Sequence, residues 1–129
     1  MHHLIYVFDS YCGWCYGFGP AIRELAARDD IFVEVRHGSL FGGDRAASLG
    51  AFAHIPQANA RIAALTGARF GEGYQRLLES GEVVLNSDHA ARGLAALRSV
   101  VGSERDVDAA GALQQAFYQE GLSLSEADT

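Results

Sequence analysis

The chain has 129 residues, of which 49% are hydrophobic, and a formal net charge of −6 at pH 7. This length and composition predict one domain with a packed core, and they exclude wholesale disorder. The acidic balance argues against a general nucleic-acid-binding protein, which needs a basic face. No apolar run approaches the length of a membrane span, so we expect no membrane partner.

The first predicted element is a strand at Leu4–Phe8. Its residues are apolar or aromatic with no polar alternation, which is typical of a parallel strand buried on both faces. Asp9 and Ser10 end the strand. A turn or capping role is the favoured interpretation of Asp9, and the alternative is that Asp9 manages protons near the cysteines that follow.

The only two cysteines, Cys12 and Cys15, lie between this strand and a predicted helix. A helix N-terminus carries unpaired N–H groups and a partial positive charge, so the pKa of Cys12 should fall there. A second cysteine one turn later can attack the mixed disulfide that the first one forms. The spacing predicts thiol–disulfide exchange, with Cys12 as nucleophile, Cys15 as resolving thiol and no cofactor.

Two other uses of the cysteine pair are less favoured. Zinc needs four ligands, whereas the sequence has no second Cys-x-x-Cys. Its histidines show no metal-ligand spacing beyond the adjacent pair His2 and His3. We therefore predict no metal site. A structural disulfide over so short a loop removes little unfolded-state entropy. No signal peptide precedes the first strand, so we expect a cytoplasmic protein, in which a lone cysteine pair favours redox chemistry.

The residues around the thiols are candidate substrate contacts. Trp14 lies between the cysteines, so it should be near the surface if they are, where it is available to apolar substrate segments. Its alternative role is to cover the end of the helix. Tyr11 and Asp9 complete the set of predicted substrate contacts.

The next elements predict a βαβ unit. An amphipathic segment at Ala21–Arg28 is predicted to be helical, with Ile22 and Ala26 on its inner face. Pro20 falls inside this helix if it starts near Cys12, and it should then kink the helix. Ile31–His37 is predicted as a second strand, parallel to the first with a right-handed crossover.

Beyond Asp44 the strand signals nearly vanish. The predicted helices are Ala46–Ala53, Gln57–Leu65, Glu72–Leu78, Ser87–Val101 with Ser87 as its N-cap, and a last helix from Asp106 or Asp108 to Gln119, with an extended link at Glu82–Leu85. The predicted fold class is therefore α/β. A βαβ unit over 1–43 and a helical region over 44–129 should form a single compact domain.

The first forty residues resemble the DsbA-like branch of the thioredoxin superfamily. The matching features are the strand Leu4–Phe8, Asp9 three positions before the first cysteine, the motif Cys12-Gly-Trp-Cys15 and the run from Tyr16 to Pro20. Within that branch the chain is most similar to the cytoplasmic FrnE-type proteins, whose helical insertion resembles residues 44–129. The resemblance implies a partial thioredoxin-like fold and thiol–disulfide oxidoreductase activity, with Cys12 attacking and Cys15 resolving.

The chain departs from this family in its second half. Thioredoxin-like enzymes hold a cis-proline loop opposite the cysteines, and the only prolines here, Pro20 and Pro56, lie outside that context. Ser125 and the acidic residues after it resemble the start of a helix, so we expect a chain truncated before the cis-proline hairpin, with weakened activity. The edge of Leu4–Phe8 would then be unpaired, and we expect a second copy, as a homodimer, or another segment to cover it.

Three functions remain open at this point. The leading one is a cytoplasmic oxidoreductase that acts on protein or small-molecule disulfides. The first alternative is a glutathione-dependent isomerase or transferase of the kappa or hydroxychromene-carboxylate isomerase type, although those proteins usually have a serine where Cys12 stands. The second is a non-catalytic fragment that dimerises or captures metal.

Overall fold

Two parallel strands form the base on which the helices pack. The computed structural model describes residues 1–126, so Ala127–Thr129, where the helix predicted to start at Ser125 would continue, lie outside the described residues. Strand β1 (His2–Phe8) pairs in parallel with β2 (Ile31–His37), and the helix α1 (Gly13–Ala26) connects them. The predicted βαβ unit is therefore confirmed.

The prediction that the first strand is buried on both faces is wrong. The side chains of Phe8, Val33 and Val35 face the core, whereas Ile5 is 57% exposed and Val7 is 63% exposed. Successive residues of a strand point to opposite faces. Helices cover only one face of the sheet within the described residues, so alternate residues of β1 meet solvent.

Helix α1 begins one residue after Cys12, as the cysteine spacing requires, and contains Pro20. The kink expected at Pro20 stays a prediction. The helix ends at Ala26 rather than at Arg28, because the backbone turns there to enter β2. Ile22 is buried as predicted, but Ala26 is exposed, since the last turn of α1 extends past the core.

Four further helices follow, and all four lie where the pattern predicts helices. They are α2 (Ile55–Thr66), α3 (Glu72–Ser80), α4 (Ser87–Val101) and α5 (Asp106–Tyr118). Three of them end at a glycine with positive φ, where a side chain would be strained: Gly67 after α2, Gly81 after α3 and Gly102 after α4. The mixed α/β class with an N-terminal βαβ unit is therefore confirmed, while the predicted boundary between 43 and 44 stays a prediction.

The helix predicted at Ala46–Ala53 does not form. In its place are a short strand, β3 (Ala47–Ser48), and a single 3₁₀ turn at Leu49–Ala51. Strand β3 pairs in antiparallel fashion with β4 (Val84–Leu85), which lies in the predicted extended link. Backbone hydrogen bonds to a segment about 35 residues away override the weak helical signal of the alanines.

The N-cap predicted at Ser87 is also wrong, by one residue. The Asn86 side chain accepts hydrogen bonds from the N–H groups of Asp88 and His89, in a backbone conformation typical of an N-cap. The hydroxyl of Ser87 is buried and instead accepts a hydrogen bond of 2.9 Å from the Phe41 N–H. The serine therefore ties α4 to the loop after β2.

The core consists of two clusters that meet around α5. One cluster packs α1, α4 and α5 onto the sheet through Phe8, Ile22, Val33, Val35, Leu94, Ala109 and Ala110. The other lies beneath the cysteine turn and consists of Tyr11, Phe41, Leu49, Tyr74, Leu85, Ala90, Phe117, Tyr118 and Leu124. The second cluster supports the start of α1. None of the helices within residues 1–126 combines the length and apolar character that crossing a membrane requires.

Candidate active site

The turn between β1 and α1 is held by Asp9. Its Oδ1 accepts a hydrogen bond of 2.9 Å from the Tyr11 N–H, and its Oδ2 accepts one of 2.9 Å from the Leu40 N–H. The Asp9 carbonyl accepts a third bond, of 3.0 Å, from the Cys12 N–H. One buried carboxylate therefore links the turn to the loop after β2 and sets the direction in which the chain enters α1.

Cys12 occupies the N-cap of α1, and Cys15 lies in the first turn. Both side chains are half-buried free thiols. The first turn of α1 contains no acidic residue, so no side-chain anion there competes with a thiolate for the positive end of the helix. The two thiols therefore occupy the positions that the sequence predicts.

The electrostatics divide the two thiols into an ionised one and a protonated one. The pKa of Cys12 is lowered to about 6, chiefly by a hydrogen bond from the Cys15 thiol and also by bonds from the N–H groups of Cys15 and Trp14, against the effect of burial. The pKa of Cys15 is raised, because its proton is shared with the Cys12 sulfur and because burial disfavours a second thiolate. These shifts favour a thiolate at Cys12 and a protonated thiol at Cys15 near neutral pH.

A second contact, which the sequence did not predict, holds the turn from the β2 side. His37 Nε2 accepts hydrogen bonds from the N–H of Ser10 at 3.1 Å and from its hydroxyl at 2.8 Å. Its Nδ1 lies 2.7 Å from the Gly38 carbonyl and therefore donates to it. This pattern requires neutral His37 protonated at Nδ1. The end of β2 thus fixes the residue that precedes the cysteine segment.

Helix α2 lies directly against the first turn of α1. A Cβ added at Gly13 would come within 2.7 Å of Ile62 Cδ1 and 3.3 Å of Asn59 Oδ1, so any larger residue here would displace the end of the Ile62 side chain. Asn59 in turn donates a 2.8 Å hydrogen bond to the Tyr74 hydroxyl. Burial raises the pKa of Tyr74 to about 12, so this tyrosine is neutral beside the thiols.

A cavity of about 150 Å³ opens beside Cys12. It is lined by aromatic and aliphatic side chains of α2, α3 and α5, with Trp14 on its outer side. Tyr118 is fully buried at this cavity, and burial raises its pKa well above the ordinary value. The wall behind Cys12 is therefore largely apolar, with Asn59 and His54 as polar members of the lining, which favours an approaching hydrophobic group.

The three predicted substrate contacts occupy different environments. Trp14 is 44% exposed and is available to a substrate. Tyr11 is 4% exposed, and its hydroxyl is hydrogen-bonded to Ser125 at 2.8 Å, while Asp9 is 5% exposed. Tyr11 and Asp9 are therefore buried, although Tyr11 lines the cavity beside Cys12, and the substrate contacts of all three residues stay a prediction. No group of three or more metal-ligating side chains occurs within the described residues.

Replacing Asp9 tests its role in holding the turn. We expect Asp9→Ala to lower the free energy of unfolding by about 2–4 kcal/mol, because the N–H groups of Tyr11 and Leu40 lose their acceptor. Asp9→Asn keeps one acceptor oxygen and should cost about half as much. Urea unfolding of the two variants measures the difference. Equal stability of Asp9→Ala and the unchanged protein would contradict this role.

The comparisons with known proteins find relatives among solved structures only, since no family model and no curated protein matches the chain. The cytosolic disulfide reductase DsbM from Pseudomonas aeruginosa, solved with GSH, has a TM-score of 0.84 and 26% identity, over 98% of this chain and 60% of its own. A second structure of DsbM from Pseudomonas aeruginosa, for which GSH is not mentioned, has a TM-score of 0.85 and 26% identity, over 98% of this chain and 59% of its own.

A third structure shows the fold alone, because its identity is only 22%. It is a candidate protein disulfide isomerase from Nitrosomonas europaea, with a TM-score of 0.79 over 98% of this chain and 59% of its own. The chain thus spans about 60% of the length of these structures. It has a DsbA-like thioredoxin fold, as the motif resemblance predicted, while the FrnE-type assignment stays a prediction.

Proposed function

We propose that the chain is a thiol–disulfide oxidoreductase that uses Cys12 and Cys15. The observation that carries the proposal is the asymmetry of the two thiols at the start of α1. The pKa of Cys12 is lowered to about 6, and the pKa of its neighbour one turn later is raised. A nucleophile that is ionised at neutral pH beside a protonated resolving thiol is what disulfide exchange requires.

The reaction runs in two exchanges. The Cys12 thiolate attacks one sulfur of the substrate disulfide, forms a mixed disulfide and expels the other sulfur as a thiolate, which takes a proton from solvent. Cys15 then loses its proton, and its sulfur attacks Cys12 and releases the second substrate thiolate. The substrate gains two electrons, and the pair loses them as the Cys12–Cys15 disulfide forms.

A thiol must return this disulfide to the dithiol. Two thiol molecules supply the two electrons and leave as one disulfide. DsbM is described with GSH and as a cytosolic disulfide reductase, which supports glutathione as the reductant and the cytoplasm as the compartment. Protein or small-molecule disulfides are the proposed substrates, with Trp14 as the exposed contact beside the sulfur.

The glutathione-dependent isomerase alternative is not favoured. An isomerase of that type needs no resolving thiol, whereas Cys15 here supplies the main hydrogen bond that ionises Cys12. The similar structures with 26% identity are described as disulfide reductases. Saturable binding of glutathione without any disulfide turnover would nevertheless favour that class.

The test is a joint measurement of the Cys12 pKa and the reduction potential of the pair. We expect the thiolate absorbance of the reduced protein to titrate near pH 6 and to be lost in Cys12→Ser. The pair should equilibrate with glutathione buffers at a potential between about −270 and −120 mV, the range of known exchange enzymes. A Cys12 pKa near that of a free thiol, about 8.5, would contradict the proposal.

We also propose that a second copy of the chain pairs with the free edge of β1. Strand β2 occupies one edge, and no strand among residues 1–126 pairs with the other. Unpaired edges of exposed apolar strands attract further strands. An antiparallel pairing about a two-fold axis at Ile5, the middle of β1, would join two copies in a four-stranded sheet.

If two copies pair in this way, the average mass of the protein in solution should rise with protein concentration. We expect sedimentation to show a monomer–dimer equilibrium, and Ile5→Lys to weaken it at least about tenfold, because two like charges would face each other at the axis. Val100→Lys is the matched control, since Val100 is 81% exposed on α4, away from the sheet. A single monomer mass at every concentration would contradict the pairing.

A further inference from the structure

A second cavity, of about 570 Å³, lies along α1 from Tyr16 to Arg23 and does not include the cysteines. Helix α1, helix α5 and the segment 66–69 between α2 and α3 enclose it. We call this cavity the α1–α5 groove. Gly17 and Gly111 both line it, and its volume leaves room for a molecule of dipeptide size.

Gln114 lines the groove and carries an unsatisfied donor, whose nitrogen atom is itself almost fully enclosed. This side chain is 4% exposed, and its Nε2 has no hydrogen-bond partner within residues 1–126. A buried amide N–H group without a partner costs about 1–3 kcal/mol. Since most buried polar atoms in folded proteins are paired, the unmet donor indicates a ligand acceptor.

Two guanidinium groups line the same groove. Arg23 extends over Gly111, where its Nη1 lies 3.2 Å from the position that a Cβ would take. Neither Arg23 nor Arg69 forms a salt bridge or donates a side-chain hydrogen bond within the part of the chain that is described. The chain as a whole carries a charge of −6, whereas two guanidinium groups line this one groove.

Hydrogen bonds hold the groove wall near Arg69 in place. The carboxylate that lines the groove, Asp108, also lies close to Arg105. Tyr16 donates to the Arg69 carbonyl and accepts a 2.9 Å bond from Gln119 Nε2, so α1, α5 and the 66–69 segment are joined at this end. Asp108 also lines the groove, but it lies 3.6 Å from Arg105 outside it. Asp108 is the one carboxylate among the described residues that line the groove, against two guanidinium groups.

We propose that the α1–α5 groove binds a small molecule carrying an oxyanion, either a carboxylate or a phosphate, through Arg23, Arg69 and the Gln114 amide. Guanidinium groups match the planar geometry of such oxyanions and form strong charge-assisted bonds with them. The charged end of the groove is remote from the thiols, because Arg23 lies eleven residues beyond Cys12 on α1, about 16 Å along the helix.

The experiment titrates the reduced full chain with sodium phosphate and, separately, with sodium succinate, followed by amide NMR at constant ionic strength. We expect saturable shifts at Gly17, Gly111 and the Gln114 side chain with at least one of the two, and none with neutral succinamide. The salt that saturates first identifies the oxyanion. The Cys12→Ser variant should bind equally well, so this outcome does not depend on the proposed redox function.

Variants decide whether the named residues carry the binding. Arg23→Gln combined with Arg69→Gln should weaken binding at least about tenfold, whereas Arg76→Gln, an exposed arginine on α3, should leave it unchanged. Gln114→Met should weaken binding while the protein stays folded, because it removes the unpaired amide at similar volume. No saturable shift with either salt, or an equal loss in Arg76→Gln, would overturn the proposal.

Discussion

Cys12→Ser should abolish disulfide turnover, with a loss of at least about a thousandfold relative to the unchanged protein. A serine hydroxyl is not ionised at neutral pH and cannot form the mixed disulfide, so no later step can begin. Turnover of glutathione disulfide or of an unfolded, disulfide-bonded protein, with the reductant in excess, measures the effect. Cys15, the only other cysteine in the chain, stays half-buried in this variant, and burial disfavours its thiolate.

The fold should survive this change, which keeps the result interpretable. Cys12 is only half-buried, and its structural contribution is an N–H bond to the Asp9 carbonyl that serine retains. Circular dichroism and urea unfolding of the variant should match those of the reduced parent at pH 5. At this pH Cys12 is largely protonated in both the folded and the unfolded protein, so its ionisation does not contribute to stability. Turnover by Cys12→Ser at the parent rate would remove Cys12 from the mechanism.

Cys15→Ala should raise the pKa of Cys12 and stop the reaction at the mixed disulfide. The hydrogen bond from the Cys15 thiol is the largest influence that lowers the Cys12 pKa to about 6. If the value returned to that of a free thiol, about 8.5, alkylation of Cys12 at pH 7 would slow by up to about 30-fold. The N–H bonds from Trp14 and Cys15 remain, so the measured loss should be smaller.

Cys15→Ser is the matched variant, because its hydroxyl still donates a hydrogen bond to the Cys12 sulfur. We expect its alkylation rate to lie between those of the parent and Cys15→Ala, while both variants accumulate mixed disulfide that mass spectrometry detects. The pH dependence has a defined sign. Cys12 reactivity rises with pH through about 6 in the parent and through a higher pH in Cys15→Ala. Identical profiles in all three proteins would contradict the thiol–thiol hydrogen bond.

Local sequence signals predicted most of the helices, and long-range pairing explains the errors. The segments of α2, α3, α4 and α5 carry apolar residues at helical spacing, so packing and propensity favour the same structure. The alanine-rich segment around β3 had helical propensity, but Val84–Leu85 offered it strand pairing. Likewise, the exposure of Ile5 and Val7 depends on what covers the sheet, which the apolar run itself does not encode.

The candidate site shows the same division between near and distant residues. Cys12, Cys15 and Trp14 were identified from a stretch of four residues, and the structure places them at the start of α1. His37 was missed, since it follows Ser10 by 27 positions and the end of a strand carries no motif. The parallel pairing of β1 with β2, which was predicted, does place Phe8 opposite His37, and this register could have suggested the contact.

The sequence by itself determined the redox pair and its position at a strand–helix junction, because the hydrogen bonds that ionise Cys12 come from its immediate neighbours Cys15 and Trp14. Only the tertiary structure decided the surroundings of that pair. The neutral wall of Tyr74 and Tyr118 and the groove beside Arg23 and Gln114 are built from helices distant in the chain. Burial and donor matching depend on which surfaces meet, and this depends on packing across the whole domain.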